Sequence, residues 1–134
     1  SGFGGKVNGY LNHRGPYWFQ PELLHFNDAP VGTFPQSCQI TADGAVSVVR
    51  TPGHTPGHVS VIVQMEETAV FIAGDASYNQ ANMLKEQVDG LSSAAASETL
   101  RRIRQFTTSQ PAIYLPTHDP ASAQRREKQQ IVPA

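Results

Sequence analysis

The sequence predicts an α/β fold in which helices pack on a β-sheet. From Cys38 onward, short runs of apolar, often β-branched residues alternate with polar ones, as is typical of strands. Residues 93–106 then carry apolar side chains at helical spacing, and a further strand-like run follows at 112–115. A chain of 134 residues is long enough for one domain with its own core.

The composition excludes some classes of partner. The hydrophobic fraction is 39%, the charged fraction is 16% and the formal net charge is −1. We therefore expect no nucleic-acid partner and no membrane partner, and no apolar run is long enough for a transmembrane span. Residues 1–5 have no basic and no apolar region of a signal peptide, so we expect a cytoplasmic protein. The single cysteine, Cys38, excludes an internal disulfide.

Residues 1–36 read as an irregular connecting segment rich in glycine, proline and aromatic residues. The aromatic side chains either line an apolar ligand pocket or bury against the domain. A short helix is expected over Pro21 to His25. His13 and His25 have no partner at metal-ligand spacing and are interpreted as structural or solvated. The aromatic residues of this segment are Phe3, Tyr10, Tyr17, Trp18, Phe19, Phe26 and Phe34.

Residues 37–134 are predicted to form the sheet and its helices. An Asp43-Gly44 turn separates the first two strands, and the apolar run Thr68–Ala73 is continuous enough to be buried on both faces. The predicted strands are Cys38–Ile40, Val46–Val49, Val59–Val63, Thr68–Ala73 and Ala112–Leu115.

The helices are predicted from caps and spacing. A short helix is expected over Gln80 to Glu86, and Ser92 or Ser93 caps a longer one that ends near Phe106. Its apolar stripe is Ala96, Leu100, Ile103 and Phe106, while Arg101, Arg102 and Arg104 are interpreted as a solvated face. Asp119 is expected to cap a last helix over Ala121 to Gln129, and the tail Gln130 to Ala134 is expected to fray.

Three strand-to-loop junctions deliver side chains that bind metals. The loop Thr51-Pro52-Gly53-His54-Thr55-Pro56-Gly57-His58 follows one strand, and alone it is also compatible with a tight turn bearing two solvated histidines. Asp75 and His118 each end an apolar strand. Imidazole and carboxylate are ligands of zinc, and one carboxylate can bridge two ions that polarise a carbonyl. Tyr78, three residues after Asp75, could donate a hydrogen bond to a substrate oxygen.

These stretches resemble the later motifs of the metallo-β-lactamase superfamily. The matching segments are residues 51–58, Phe71 to Tyr78 and Leu115 to Asp119. Asp75-Ala76-Ser77-Tyr78 is similar to the N-acyl-homoserine-lactone lactonases, the quorum-quenching branch, whereas glyoxalase II-type thioesterases more often carry Thr after the Asp. The resemblance covers roughly residues 40 to 125.

The resemblance implies a role for each matching residue. His54 corresponds to a ligand of the first zinc ion, Asp75 to the carboxylate that bridges both ions, and His118 to a ligand of the second. Tyr78 corresponds to the phenol that binds the lactone carbonyl and assists ring opening. His58 matches a histidine that is not a ligand. We therefore expect it to have a structural role or to contact one of the metal ligands without binding metal itself.

The resemblance also implies an incomplete site. The family's His-x-His-x-Asp-His motif does not occur in this sequence, so each ion would keep one histidine and a shared Asp75. The chain is therefore predicted to be a single partial domain, the C-terminal half of an αββα sandwich with a mixed sheet and helices on one face.

Three functions remain open at this point. The chain is part of a zinc-dependent lactonase acting on a small lactone or ester, part of a glyoxalase II-type thioester hydrolase, or a non-catalytic remnant that serves as a binding or assembly module. A half sandwich exposes apolar sheet surface, so we expect a homodimer or pairing with an N-terminal half.

Overall fold

The computed structural model describes residues 16–134, in which five strands form one sheet in chain order. The first four strands are antiparallel neighbours, whereas the fifth runs parallel to the fourth because a helical crossover connects them. The sheet is therefore mixed, as predicted. The strands are β1 (Cys38–Gln39), β2 (Val46–Arg50), β3 (Val59–Gln64), β4 (Ala69–Gly74) and β5 (Ala112–Pro116).

Within the described residues, three helices accompany the sheet: α1 (Gln80–Leu84), α2 (Ala94–Ser109) and α3 (Ser122–Glu127). The Ser93 hydroxyl accepts a hydrogen bond from the Ala96 N–H at 3.0 Å, so Ser93 is the cap of α2. The predicted stripe of α2 is buried, and the helix extends three residues beyond the predicted end. None of the described helices is both long and apolar enough to cross a membrane.

The core lies between one face of the sheet and the helices α1 and α2. Ile62, Phe71 and Tyr114 occupy successive register positions on this face and are at most 1% exposed. Phe106 of α2 and Met83 of α1 pack against them. The alternation of side chains along each strand produces this face, since every second residue points to the same side.

The opposite face of the sheet carries apolar side chains that the described residues leave partly uncovered. Ile72 is 44% exposed, although Phe71 beside it is fully buried. The prediction that this strand is buried on both faces is therefore wrong for the described chain, because no helix of residues 16–134 lies over Ile72. We call the half-buried or exposed residues Val61, Val63, Val70, Ile72 and Leu115 the open face.

The N-terminal predictions are only partly confirmed. Residues 21–25 form no helix; all five are exposed, so little burial compensates for the entropy of a short helix. Phe34 is buried in the core, as the burial interpretation predicts, whereas Tyr17, Trp18 and Phe19 are exposed. The predictions for Phe3, Tyr10 and His13 concern positions outside the described residues.

The C-terminal end differs from the prediction in two ways. Helix α3 covers Ser122–Glu127 only, shorter than the predicted range. The tail is not uniformly frayed, because the Val132 N–H donates to the Ala112 carbonyl at 2.8 Å and Val132 is 4% exposed. The edge strand β5 thus supplies a hydrogen-bond acceptor and an apolar surface that the sequence alone does not reveal.

Candidate metal centre

The strand directions bring the three predicted junctions to one end of the sheet. Strands β4 and β5 are parallel, so Asp75 and His118 follow strand ends that lie side by side, with Gly74 paired to Pro116. Strand β3 is antiparallel to β4, so the loop that precedes Val59 lies at the same end. That loop carries His54.

Asp75 lies between the two histidines. Its Oδ2 atom is 3.6 Å from His54 Nε2, and its Oδ1 atom is 3.1 Å from His118 Nε2. The histidine side chains are 52% and 60% exposed, whereas the Asp75 side chain is 33% exposed. Each oxygen of one carboxylate therefore faces a different imidazole, and both imidazoles border open surface.

The donor chemistry suits two neighbouring cations, but the number of donors falls short. Asp75 Oδ1 is buried, and although His118 Nε2 lies 3.1 Å away, neither that ring nor any other donor within residues 16–134 is aligned to form a hydrogen bond to it. A buried carboxylate oxygen without a hydrogen bond is unfavourable unless a cation compensates for it. In the described part of the chain, however, no group of three His, Cys, Asp or Glu side chains could hold one ion. A catalytic zinc ion usually has three protein ligands.

The loop that carries His54 is fixed against helix α2. The Thr99 hydroxyl donates to the Pro52 carbonyl at 2.6 Å. A Cβ atom at Gly53 would lie 2.8 Å from the Cα of Ala96, so only glycine permits this close approach. The Pro-Gly pair preceding His54 thus has a packing function, and it positions the imidazole at the mouth of a shallow cleft that Asp75 also lines.

His58, the second histidine of the loop, points away from the open surface. Its Nδ1 atom lies 2.9 Å from Thr51 Oγ1 and 3.0 Å from the Thr51 carbonyl oxygen, and its Nε2 atom accepts a hydrogen bond from the Asp75 N–H at 3.0 Å. Burial lowers the pKa of His58, and the hydrogen bond to the Thr51 carbonyl and the Asp75 charge offset this only partly. His58 contacts the candidate site through the Asp75 main chain.

Asp119, the residue that follows His118, forms an ion pair with Arg125. Asp119 Oδ2 accepts from Arg125 at 2.6 Å and from the Gln80 N–H at 3.0 Å. Burial alone would raise the pKa of Asp119, but these two donors and the Ala121 N–H lower it overall. The prediction that Asp119 caps the last helix is wrong, because α3 begins later and its N-cap is Ala121. Asp119 Oδ1 instead accepts a hydrogen bond from the Ala121 N–H at 3.0 Å, in the turn before the helix.

Tyr78 lies beside His118 with its ring directed edge-on. The ring centroids are 6.3 Å apart at an interplanar angle of 87°, and Tyr78 is 52% exposed. Its main chain is fixed because the Tyr78 N–H donates to Asp89 Oδ2 at 2.7 Å. Asp89 also accepts from the Asn82 side chain at 2.6 Å. The phenol therefore borders the same open surface as the histidines.

Two residues that hold the loops of this site in place, Asp89 and Arg125, are not recognisable from the sequence. Neither stands out, because Asp89 is an isolated carboxylate in a polar stretch and Arg125 is the first of four consecutive charged residues, Arg125 to Lys128. One signal was available for Arg125: it lies six residues after Asp119, within reach across the start of a helix. Its 8% exposure and its hydrogen bond to the Tyr114 carbonyl at 3.1 Å depend on the folded chain.

Comparison with known proteins identifies the class. The sequence profile described as "Metallo-beta-lactamase superfamily" matches residues 5–118, most of the chain. The chain belongs to this superfamily. The predicted fold class is also confirmed: a solved N-acyl homoserine lactone hydrolase with N-hexanoyl-L-homoserine bound superposes with a TM-score of 0.55 at 24% identity, over 72% of this chain and 39% of that one.

Curated relatives are similar over a shorter stretch. An N-acyl homoserine lactonase of a Bacillus species is 33% identical over 76 residues, which cover 55% of this chain and 30% of the relative. N-acyl homoserine lactonase AttM of Rhizobium radiobacter is 25% identical over 92 residues, covering 66% of this chain and 35% of the relative. The matches thus span about a third of the length of these relatives.

Proposed function

We propose that this chain forms part of a metal-dependent hydrolase that opens the ring of an N-acyl-homoserine lactone. The observation that carries the proposal is the position of Asp75, whose two carboxylate oxygens face different histidines at 3.6 and 3.1 Å. Membership of the superfamily and the similarity to N-acyl homoserine lactonases support the substrate class. The match covers about a third of those relatives, so the substrate belongs to the proposal.

In this proposal His54, Asp75 and His118 are metal ligands. The two imidazole Nε2 atoms and the separate carboxylate oxygens would hold two zinc ions, with Asp75 shared between them. When bound, such ions supply a nucleophile at neutral pH and polarise a carbonyl oxygen. Because the described residues offer each ion only two ligands, we propose that further ligands come from polypeptide beyond residues 16–134.

Tyr78 is proposed to act on the substrate and not on the metals. Its phenol is half exposed beside His118, where it can donate a hydrogen bond to the oxygen that gains charge as the lactone opens. The hydrogen bond from its N–H to Asp89 fixes the main chain from which the ring projects and does not use the hydroxyl.

The open face is proposed to be covered by a second β-sheet. Its five side chains are apolar, and a contiguous uncovered apolar surface of this kind marks an interface. A partner sheet supplied by further polypeptide or by a second copy would bury Ile72, which is 44% exposed in the described chain. This arrangement would give two packed layers of sheet.

A lactone hydrolysis assay tests the proposed function. We use "full-length protein" for this chain together with the proposed further polypeptide. When loaded with zinc, it should hydrolyse an N-acyl-homoserine lactone to the carboxylic acid, which releases a proton. We expect Asp75→Ala to abolish this proton release. Tyr78→Phe should lower kcat by about 100-fold, the lower end for loss of one oxyanion donor because the site is half exposed, with metal content unchanged. Tyr17→Phe, at a tyrosine that is 99% exposed, is the matched control.

Two outcomes would count against this proposal. Wild-type turnover in Asp75→Ala would contradict the metal role, and a loss of metal in Tyr78→Phe would contradict the substrate role. A faster reaction with a thioester than with the lactone would favour the glyoxalase II-type alternative. The 134-residue chain by itself should bind zinc weakly and show little lactonase activity; tight binding of two zinc ions per chain would contradict the need for further ligands.

A further inference from the structure

The backbone groups beside His58 determine which of its two ring nitrogens carries the proton. The Asp75 N–H lies 3.0 Å from Nε2, and an amide N–H can only donate, so Nε2 must carry a lone pair. The Thr51 carbonyl oxygen lies 3.0 Å from Nδ1, and a carbonyl can only accept, so Nδ1 must carry the proton. The ring is therefore neutral, in the Nδ1–H tautomer.

Two buried hydroxyls extend this hydrogen-bonded chain. Ser60 donates its one hydrogen to the Ala73 carbonyl at 3.2 Å, so it must accept from Thr51 Oγ1 across 2.8 Å. Thr51 Oγ1 has then used its own hydrogen and lies 2.9 Å from His58 Nδ1, so the single Nδ1–H is shared between Thr51 Oγ1 and the Thr51 carbonyl oxygen. Thr51 and Ser60 are each 1% exposed, so water does not compete for these groups.

The chain of hydrogen bonds begins and ends on either side of Gly74. It starts at the Asp75 N–H and finishes at the Ala73 carbonyl, so it clamps the turn where β4 ends. Gly74 has φ +58°, and a Cβ atom there would lie 2.9 Å from His58 Nε2. Only glycine combines this backbone conformation with room for the imidazole.

We propose that His58 is a positioning residue for Asp75 and does not bind metal itself. Its neutral ring holds the Asp75 main chain so that each carboxylate oxygen continues to face its own histidine. Both ring nitrogens are occupied, which leaves no lone pair for a cation. The effect on metal affinity rests on the proposed function, whereas the hydrogen bond and the tautomer do not.

The tautomer and the hydrogen bond can be observed directly by NMR of the full chain labelled with ¹⁵N. Long-range ¹H–¹⁵N correlations should show His58 with a protonated Nδ1 and an unprotonated Nε2. A scalar coupling across the hydrogen bond should connect the Asp75 amide nitrogen with His58 Nε2. An Nε2–H tautomer, or no coupling at a folded, assigned Asp75 amide, would overturn the proposal whether or not the protein is a lactonase.

Metal affinity tests the positioning effect. His58→Leu should lower the zinc affinity of the full-length protein by about 10- to 100-fold, as for other residues that orient a metal ligand. His58→Gln should recover part of this loss, because its amide oxygen can accept from the Asp75 N–H. His25→Leu, at an exposed histidine, is the control. All affinities are measured well below the unfolding temperature of each variant.

The outcomes separate this proposal from the proposed function. A folded His58→Leu variant with wild-type zinc affinity would overturn the positioning role, and so would equal losses in His58→Leu and His58→Gln. If Asp75→Ala leaves zinc affinity unchanged, the proposed metal centre is wrong. The NMR coupling then still tests whether the His58 ring accepts a hydrogen bond from the Asp75 N–H, because this test does not depend on metal binding. Gly74→Ala should weaken that coupling, since its Cβ would displace the imidazole.

Discussion

Replacing Arg125 by methionine removes the charge that faces Asp119 but keeps most of the apolar stem. Both side chains of this ion pair are 9% exposed. Arg125 donates to Asp119 at 2.6 Å and to the Tyr114 carbonyl at 3.1 Å, so it joins α3, β5 and the turn that bears His118. Arg125→Met therefore leaves a nearly buried carboxylate without a counter-charge.

The expected loss of stability is large for one substitution. Removal of one partner from a buried ion pair costs about 3–5 kcal/mol, and we expect about 3 kcal/mol because both groups lie near the surface. The Gln80 and Ala121 N–H groups continue to solvate the Asp119 carboxylate, which also favours the lower end. For a domain of this size, about 3 kcal/mol corresponds to a decrease in Tm of about 10 °C.

Thermal and urea unfolding of the full chain, followed by circular dichroism, measures this loss. Arg126→Met is the matched control, since Arg126 is the next residue of α3 and is exposed. Its free energy of unfolding should change by less than about 0.5 kcal/mol. The double variant Asp119→Asn/Arg125→Met should cost less than the sum of the single variants, by about 1 kcal/mol or more.

Equal stability of Arg125→Met and Arg126→Met would refute the reasoning. Strict additivity of Asp119→Asn and Arg125→Met would refute it as well, since it would mean that the two groups do not interact. If Arg125→Met unfolds as expected but His118 keeps its chemical shifts in the folded state, the pair stabilises the fold without orienting the histidine.

Two further predictions concern the helix cap and the open face. Ser93→Ala should lower the free energy of unfolding by about 1 kcal/mol because the Ala96 N–H loses its acceptor. The control Ser92→Ala should leave the free energy of unfolding unchanged. Urea unfolding compares the two variants, and equal losses would contradict the assignment of Ser93 as the cap. Ile72→Lys should weaken association through the open face and shift the chain toward monomer in light scattering, whereas Met65→Lys, at a similarly exposed residue in a turn, should not. An unchanged oligomeric state in Ile72→Lys would count against coverage of the open face by a second copy.

The strands and α2 were predictable because their signals are local. Alternation over Val59–Val63 and the spacing of Leu100 and Ile103 depend only on neighbouring residues, and both segments occur close to the predicted positions. The prediction of a helix over residues 21–25 is wrong, because it depended on local signals that are too weak to form a helix by themselves. A helix of that length needs burial against the rest of the chain, and those residues are exposed.

The convergence of His54, Asp75 and His118 was anticipated from the junctions, but their support was not. The hydrogen bond from the Gln80 N–H to Asp119 joins residues 39 positions apart, and no short sequence pattern encodes it. The same holds for the contact of the His58 ring with the Asp75 N–H, which exists because Gly74 leaves room for the ring. Such contacts depend on strand register and therefore need a structure.

Zinc binding to the full-length protein tests the central claim, that the two oxygens of Asp75 serve two ions. Calorimetric titrations should show that His54→Ala weakens one site, His118→Ala weakens the other, and Asp75→Ala weakens both by more than either single histidine variant. The exposed His25 provides the control, since His25→Ala should bind like wild type. If Asp75→Ala binds zinc with wild-type affinity and stoichiometry, the proposed metal centre is wrong.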